Sequence, residues 1–254
     1  MACGARLTSA SVQGIDNSPS PLSMISNLMD VSRYLNVSQP GCWAYPDMLE
    51  LGAPVVGAYA ATSPRDGPDG PRRKSSCGPD DGTKGDTAPR LTLEQGKAEF
   101  AAWCTVSAPL VLGLDMGNET EMETWFPVIS NPRALAIQAD WAGLAGKLLA
   151  ASEENVTTVV PHGASCEDMK DTRALPSWTV WGKPLSGGGW AVTAINTQAD
   201  AEAEISLPLS AMGLSGAVSE ADVWSGAKRA VEGGSWRVVL PAGAGAHRFV
   251  VLGK

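Results

Sequence analysis

The chain has 254 residues, 44% of them hydrophobic, which is enough for one large domain or two ordinary domains with a real core. Its formal net charge of -8, with no long basic run, argues against binding to nucleic acid or to anionic membranes, because both attract positive surfaces. No stretch approaches the ~20 consecutive apolar residues that a membrane span requires.

The first predicted element is a helix over residues 21–35. Apolar residues recur there at helical spacing, and Pro19 and Pro21 mark its start. Pro40 and Gly41 then stop the helix and lead into the next motif.

That motif is CWAYPDMLELG, at residues 42–52. It places Trp43 and Tyr45 beside Pro46 and the carboxylate of Asp47, and a sugar site needs aromatic faces and carboxylates. Because Pro46 forces an extended residue before it and donates no ladder hydrogen bond, the motif predicts a strand end that delivers side chains to a rim. The alternative is a buried strand-to-loop corner in which Asp47 accepts hydrogen bonds from nearby amides.

Residues 53–90 are dense in Pro, Gly and mixed charge and nearly free of large apolar side chains. Such a composition cannot bury enough apolar surface to offset the entropy of ordering, so it predicts a disordered insertion at a loop tip. The functional alternative is a lid over a pocket, although only Tyr59 offers an apolar anchor.

Helical and strand patterns resume at Thr92, where Thr92 and Gln95 form a capping box that predicts a helix ending at Pro109. The apolar run 110–115 predicts a strand buried on both faces, and helices are predicted over 119–129 and 131–137. This alternation is typical of βα units around a parallel sheet and predicts a first domain over residues 1–150. Function in such sheets lies at the carboxyl ends of the strands, which makes Asp47 and Asp115 site candidates.

Residues 151–254 show a different pattern, of short strand-like runs separated by Gly, Pro, Asp and Ser turns. The runs are 178–182, 190–196, 203–208, 221–226, 235–240 and 247–252. They predict an antiparallel β-sandwich as the second domain. Its tryptophans could form a sugar-stacking platform, but aromatic residues at period two favour the interior of the sandwich.

The residue inventory excludes several reaction classes. The two histidines, His162 and His247, lie in the strand-rich part with no nucleophile-elbow sequence, which argues against acyl transfer. No Gly-rich phosphate loop follows a strand, and five widely spaced cysteines give no zinc or redox pattern. Paired carboxylates remain, as a retaining glycosidase needs. Asp16 joins Asp47 and Asp115 as a candidate, with helix capping as its alternative role.

Three Asn-x-Ser/Thr sequons, at Asn36, Asn118 and Asn155, favour the secretory route. The N-terminus lacks the apolar segment of a signal peptide. We therefore expect the true start to lie upstream of Met1.

Three motifs, PGCWAYPDMLELG, LTLEQGKAEFAAWCTVSAPLVLGLDM and WFPVISNPRALAIQADWAG, carry a family resemblance. They resemble the last third of the barrel in glycoside hydrolase family 27, the α-galactosidases and α-N-acetylgalactosaminidases. The later WGKPLSGGGWAVTAIN and ADVWSG are similar to that family's C-terminal β-sandwich. The resemblance implies an α/β plus all-β chain in which the last units of a (β/α)8 barrel precede the sandwich.

The resemblance also implies retaining hydrolysis of terminal α-D-galactosyl residues on an oligosaccharide, glycolipid or glycoprotein glycan, without a cofactor. By position, Asp16 matches the general acid/base and Met48 matches a methionine that lines the galactose pocket. Trp43 and Asp47 match the rim around that pocket, and Asp115 matches an acidic position with a structural role. Members of the full-length family are expected to be secreted, lysosomal or vacuolar.

The sequence departs from the family pattern at the nucleophile. In the family, the nucleophile is an aspartate two residues after a lysine, and no residue before Asp16 matches it. The only Lys-x-Asp here is Lys84-Gly85-Asp86, within the predicted insertion, and Val12 replaces a substrate-binding arginine. Two hypotheses follow. Either the chain is a truncated α-galactosidase, inactive by itself, or it is an inactive remnant with a galactoside-binding or structural role. Cys42 and Cys104 are the first pair to test for a disulfide.

Overall fold

A computed structural model describes residues 20–52, 91–161 and 170–253. Asp16 and the predicted insertion at 53–90 lie outside the described residues, so the predictions made for them stay predictions. Within the described ranges, helices occupy the first part of the chain and antiparallel strands occupy the rest.

The helices form where local capping signals predict them. Their bounds are α1 Pro21–Val31, followed by a 3-10 helix Ser32–Val37, then α2 Leu93–Val106, α3 Glu119–Ile129 and α4 Pro132–Ala139. The capping box at Thr92 is present, with the Thr92 side chain accepting from the Gln95 amide. α2 ends before the predicted stop at Pro109, because Ser107 adopts a left-handed conformation with φ 62°.

Ten strands follow in the described part of the chain, and several match the predicted runs closely. Their bounds are β1 Lys147–Ala151, β2 Asn155–Pro161, β3 Lys170–Pro176, β4 Trp178–Pro184, β5 Trp190–Asn196, β6 Ala203–Pro208, β7 Val218–Asp222, β8 Lys228–Val231, β9 Ser235–Leu240 and β10 His247–Gly253. The predicted strand at 221–226 is misplaced, because residues beyond Asp222 turn back, with the Gly226 amide bonded to the Asp222 carbonyl. β1 extends across residue 150, where the boundary between the two domains is predicted. The division into domains stays a prediction.

The sandwich consists of one large antiparallel sheet with a two-stranded sheet packed on one face. The large sheet has the order β1-β4-β5-β10-β7-β8, and β6 pairs with β9. β2 and β3 form a separate hairpin. The large sheet is buried on both faces, because Ala191 and Ile195 of β5 face the helices while Val192 and Ala194 face the β6–β9 pair. The predicted antiparallel β-sandwich is confirmed.

No strand forms over 110–115 within the described ranges, which differs from the prediction. A single parallel bridge joins Leu49 to Leu112, with hydrogen bonds from the Leu49 amide to the Val111 carbonyl and from the Gly113 amide to the Leu49 carbonyl. These short segments therefore hold one another at one point only.

Helix α2 joins the helices to the sandwich. The hydroxyls of Thr105 on α2 and Thr193 on β5 are 2.7 Å apart, so the helix lies directly on the sheet. Gly146 passes so close to α2 that a Cβ there would lie 1.9 Å from the Thr105 carbonyl oxygen, and only glycine fits. The ammonium of Lys183 on β4 donates to the carbonyls of Ile137 and Gln138 near the end of α4.

Candidate functional site

The motif at 42–52 forms an irregular turn in which buried and half-buried residues surround the exposed Met48, next to the bridge between Leu49 and Leu112. Leu49 and Leu112 form the parallel bridge, and Asp47 precedes Leu49 in the chain whereas Asp115 follows Leu112. The two carboxylates therefore lie on opposite sides of the bridge, which corrects the expectation that both mark the same end of a parallel sheet.

Asp47 has a backbone conformation that is costly for a residue with a side chain. Its φ is 82°, and among the described residues only Ser107 shares a positive φ without being glycine. Such conformations cost about 1 to 3 kcal/mol and persist where the surroundings impose them. The strain is thus concentrated at one of the residues that the sequence selects as a site candidate.

Two buried side chains hold the peptide groups on either side of Asp47. The Asn27 side-chain amide on α1 donates to the Pro46 carbonyl at 3.4 Å. The indole N–H of Trp103 on α2 donates to the Asp47 carbonyl at 2.8 Å. The Asp47 carboxylate itself accepts from the amide of the next residue, Met48, at 2.9 Å. The backbone of this turn is therefore fixed from two helices at once.

The Asn27 amide has a further property that bears on the site. Asn27 is 3% exposed, and among the described residues its Oδ1 has no hydrogen-bond donor. A buried acceptor without a donor costs about 1 to 3 kcal/mol, so a water or a ligand hydroxyl is expected to supply one.

The side chains of the turn differ in exposure. Met48 is 42% exposed, whereas Asp47 and Trp43 are half-buried. The Trp43 ring packs edge-on against Trp141, with centroids 5.2 Å apart and an interplanar angle of 83°. Trp43, Asp47 and Met48 thus differ in exposure, and their role in a sugar site stays a prediction.

Sequence reasoning missed Asn27, Trp103 and Glu99, which support the turn from beneath. Glu99 on α2 is fully buried, and its carboxylate accepts from the Glu50 amide at 2.9 Å. A signal exists in the sequence, because a buried tryptophan usually needs a partner for its N–H and a carboxylate inside an apolar helix face needs donors. That signal does not identify the partners, however.

The cysteine pairing predicted from the sequence is wrong. Cys42 is disulfide-bonded, but Cys104 is a free thiol on the buried face of α2. Burial in apolar surroundings raises the pKa of the Cys104 thiol far above its ordinary value, although Lys183 acts weakly in the opposite direction. Cys104 is therefore an inert core residue.

His247 has no catalytic partner among the described residues. Its Nε2 accepts from the indole N–H of Trp224 at 3.0 Å. Burial lowers the pKa of His247 to about 4, so the ring is neutral near pH 7. Within the described ranges, no group of three His, Cys, Asp or Glu residues is arranged to hold a metal ion. No helix in those ranges has the length and apolar character needed to cross a membrane.

Comparisons with known proteins find similar sequences and similar folds. Residues 176–250 match the family of α-galactosidase C-terminal β-sandwich domains. α-Galactosidase 3 of Arabidopsis thaliana is 28% identical over 136 residues, which are 53% of this chain and 26% of that protein. A family 27 β-L-arabinopyranosidase from Geobacillus stearothermophilus gives a TM-score of 0.65 at 14% identity, covering 94% of this chain and 43% of that chain. α-Galactosidase from Saccharomyces cerevisiae, solved with raffinose, gives a TM-score of 0.55 at 14% identity, covering 90% of this chain and 51% of that chain.

These matches confirm the resemblance to glycoside hydrolase family 27 with its C-terminal β-sandwich. They also confirm the fold class, in which part of a barrel precedes a sandwich. At these identities the solved structures establish the fold alone. The chain spans about a quarter of the length of the Arabidopsis relative.

Proposed function

We propose that the turn Trp43–Met48 binds the terminal α-D-galactosyl residue of an α-galactosidase-type substrate and serves its retaining hydrolysis. The observation that carries the proposal is the backbone at Asp47, which is held at a positive φ by two buried side chains beside the exposed Met48. Fixed polar groups next to an apolar contact are the usual composition of a small-molecule site. The relationship to α-galactosidases supports galactose as the sugar.

Each residue of the proposed site has a distinct role. Asp47 accepts hydrogen bonds from sugar hydroxyls, and the apolar side chains of Met48 and Trp43 contact the carbon-bound hydrogens of the ring. Asp16, outside the described residues, serves as general acid/base. It would protonate the leaving oxygen while a second carboxylate bonds to the anomeric carbon, and it would later deprotonate the water that displaces that carboxylate and releases the sugar. The substrate is an oligosaccharide, glycolipid or glycoprotein glycan, and no cofactor takes part.

A second candidate function is galactoside binding without hydrolysis. Retaining hydrolysis needs a second carboxylate about 5 Å from the first to form the glycosyl-enzyme bond. The only Lys-x-Asp in the sequence is Lys84-Gly85-Asp86, outside the described residues. This observation favours a chain that binds the sugar but does not turn it over by itself.

Binding can be followed by NMR with methyl-labelled methionine. Methyl α-D-galactoside is expected to shift the Met48 methyl signal, while Met212, which is buried in the sandwich, stays unchanged. Methyl α-D-glucoside, which differs only at one hydroxyl, is the specificity control. An equal response to both sugars, or none to the galactoside, would refute the proposed site.

A matched pair of variants tests the role of the carboxylate. Asp47→Asn keeps an acceptor for the Met48 amide and suits the positive φ, so only the charge is lost. We expect affinity to fall about tenfold, as for the loss of a charge-assisted hydrogen bond. Asp115→Asn is the control, because the Asp115 carboxylate likewise accepts from a backbone amide, that of Gly117, on the other side of the bridge. Equal losses for both variants would contradict the assignment.

Release of nitrophenol from an aryl α-galactoside distinguishes the two candidate functions. Hydrolysis by the 254-residue chain requires turnover, whereas the second candidate function requires binding without turnover. Turnover that Asp16→Asn abolishes would establish hydrolysis by this chain and would show that another of its carboxylates acts as nucleophile. Binding without turnover would leave the second candidate.

We also propose that the chain follows the secretory route. The asparagines of all three sequons, Asn36, Asn118 and Asn155, are exposed. An amidase that removes N-linked glycans should lower the apparent mass of the protein isolated from its own organism, and an unchanged mass would refute the proposal.

A further inference from the structure

A cavity lies where helix α4 meets the sandwich, and its lining includes no residue of the turn Trp43–Met48. Its volume is about 330 Å³, at the lower end of the roughly 300 to 1,000 Å³ of small-molecule sites. The walls are mainly apolar, with Ile137 from α4, Leu185 from the β4–β5 turn and Val251 from β10. Junctions between structural units are preferred places for ligand pockets.

Four charged residues surround these apolar walls, namely Arg133, Asp140, Asp222 and Lys228. The two carboxylates already have partners. Asp222 forms an ion pair with Arg248 at 3.0 Å and accepts from Ser225. Asp140 accepts from the backbone amide and the hydroxyl of Ser186, at 2.8 and 2.7 Å.

The two cations lack acidic partners. Lys228 and Arg133 form no ion pair with any carboxylate among the described residues. Arg133 is nevertheless fixed, because its Nε donates to the Val223 carbonyl at 2.6 Å and its Nη2 to the Trp224 carbonyl. Its Nη1 makes no hydrogen bond within the described part of the chain. The cavity therefore offers an apolar interior and two unpaired cations.

We propose that this cavity binds a small ligand with an apolar body and a single carboxylate, such as a medium-chain fatty acid. The carboxylate accepts hydrogen bonds from Arg133 and Lys228, and the hydrocarbon chain packs against Ile137, Leu185 and Val251. A guanidinium held in place by backbone carbonyls is preorganised for such an anion, because little side-chain entropy remains to be lost on binding. The proposal is independent of the sugar site.

Octanoate is the probe, and titration calorimetry with the 254-residue chain is the measurement. Because each buried methylene contributes about fourfold in affinity, hexanoate is expected to bind about fifteenfold more weakly than octanoate. Octanol, which keeps the chain but lacks the charge, is expected to bind at least tenfold more weakly than octanoate. Equal affinity for octanol and octanoate, or no binding of octanoate at millimolar concentration, would overturn the proposal.

Variants locate the binding within the molecule. Lys228→Met should weaken octanoate about tenfold, and Lys228→Arg should restore it. Ala136→Trp places a large ring in the cavity and should abolish binding. Ala139→Trp, on the same helix and exposed but outside the cavity, should leave binding intact. Binding that survives Ala136→Trp, or an unchanged affinity in Lys228→Met, would show that octanoate binds elsewhere.

Discussion

Lys183 provides a direct test of how the sandwich holds helix α4. This lysine on β4 is fully buried, and its ammonium donates to the Ile137 carbonyl at 2.7 Å and to the Gln138 carbonyl at 3.0 Å. Burial lowers the pKa of Lys183 from its ordinary 10.5 to about 8, while Asp140 and Cys104 act in the opposite direction. We therefore predict that Lys183→Met removes a specific pH dependence of the free energy of unfolding.

The size and sign of this effect follow from the two pKa values. Between about pH 8 and 10.5 the unfolded chain holds a proton on Lys183 that the folded chain has lost, so folded stability rises with pH across this window. From pH 7 to pH 9 the gain is about 1 kcal/mol, and from pH 7 to pH 10 it is about 2 to 3 kcal/mol. Below pH 8 the cost of burying the charged ammonium is fully present.

Urea denaturation of the wild-type chain and of Lys183→Met at pH 7, 8 and 9 measures the effect. Between pH 7 and pH 9, the difference in unfolding free energy between the two proteins should change by about 1 kcal/mol in favour of the wild type. Groups that titrate in both proteins cancel in this difference. Lys228→Met, at an exposed lysine, is the control and should show no such trend. A difference that stays flat from pH 7 to pH 9 would refute a desolvated ammonium at Lys183.

Three further predictions concern the turn, the sandwich and the free thiol. Trp103→Phe leaves the Asp47 carbonyl without its donor and should lower the free energy of unfolding, measured with urea, by about 1 to 3 kcal/mol. Trp141→Phe, the control, should lower it by less than about 1 kcal/mol. Equal losses would contradict the hydrogen bond. Glu220→Gln weakens the contacts of a buried carboxylate with Arg229, Arg248 and Trp236, and should lower the free energy of unfolding by about 3 to 5 kcal/mol. Glu204→Gln, at an exposed position, is the control and should lower it by about 0.5 kcal/mol or less. Burial alone would raise the pKa of Glu220, but hydrogen bonds from these partners hold it below 4.5. The stabilisation by Glu220 is therefore fully present above pH 4.5 and is lost as the pH falls through the lower pKa of the folded state. Thermal unfolding of Glu220→Gln should not show this loss. Iodoacetamide at pH 8 should leave Cys104 unmodified in the folded chain and modify it after unfolding, and rapid modification of the folded protein would show that the thiol is accessible.

Several elements could be predicted from the sequence because their signals are local. β5, β6 and β9 have the predicted bounds, since short alternating or β-branched runs are delimited by turn residues next to them. α2 begins at its capping box, and α4 begins at Pro132, directly after its N-cap Asn131. In each case the deciding contacts join residues within about four positions of one another.

The candidate site could be predicted only in part. The residues Trp43, Asp47 and Met48 stand out because an aromatic ring, a proline and a carboxylate occur together. The positive φ of Asp47 and its support by Asn27 and Trp103 could not be predicted. Those hydrogen bonds join residues 19 and 56 positions apart, and nothing local selects the partners.

The sequence by itself therefore determined the helices, half of the ten strands in the described residues, the antiparallel character of the second half and the relationship to α-galactosidases. Only the tertiary structure decided that β10 lies between β5 and β7, that Cys104 is a buried free thiol, and that Lys183 holds the end of α4. The physical reason is the range of the interactions. Caps, turns and periodicity act between neighbours in the chain, whereas strand order, burial and the partners of buried polar groups depend on which distant segments pack together.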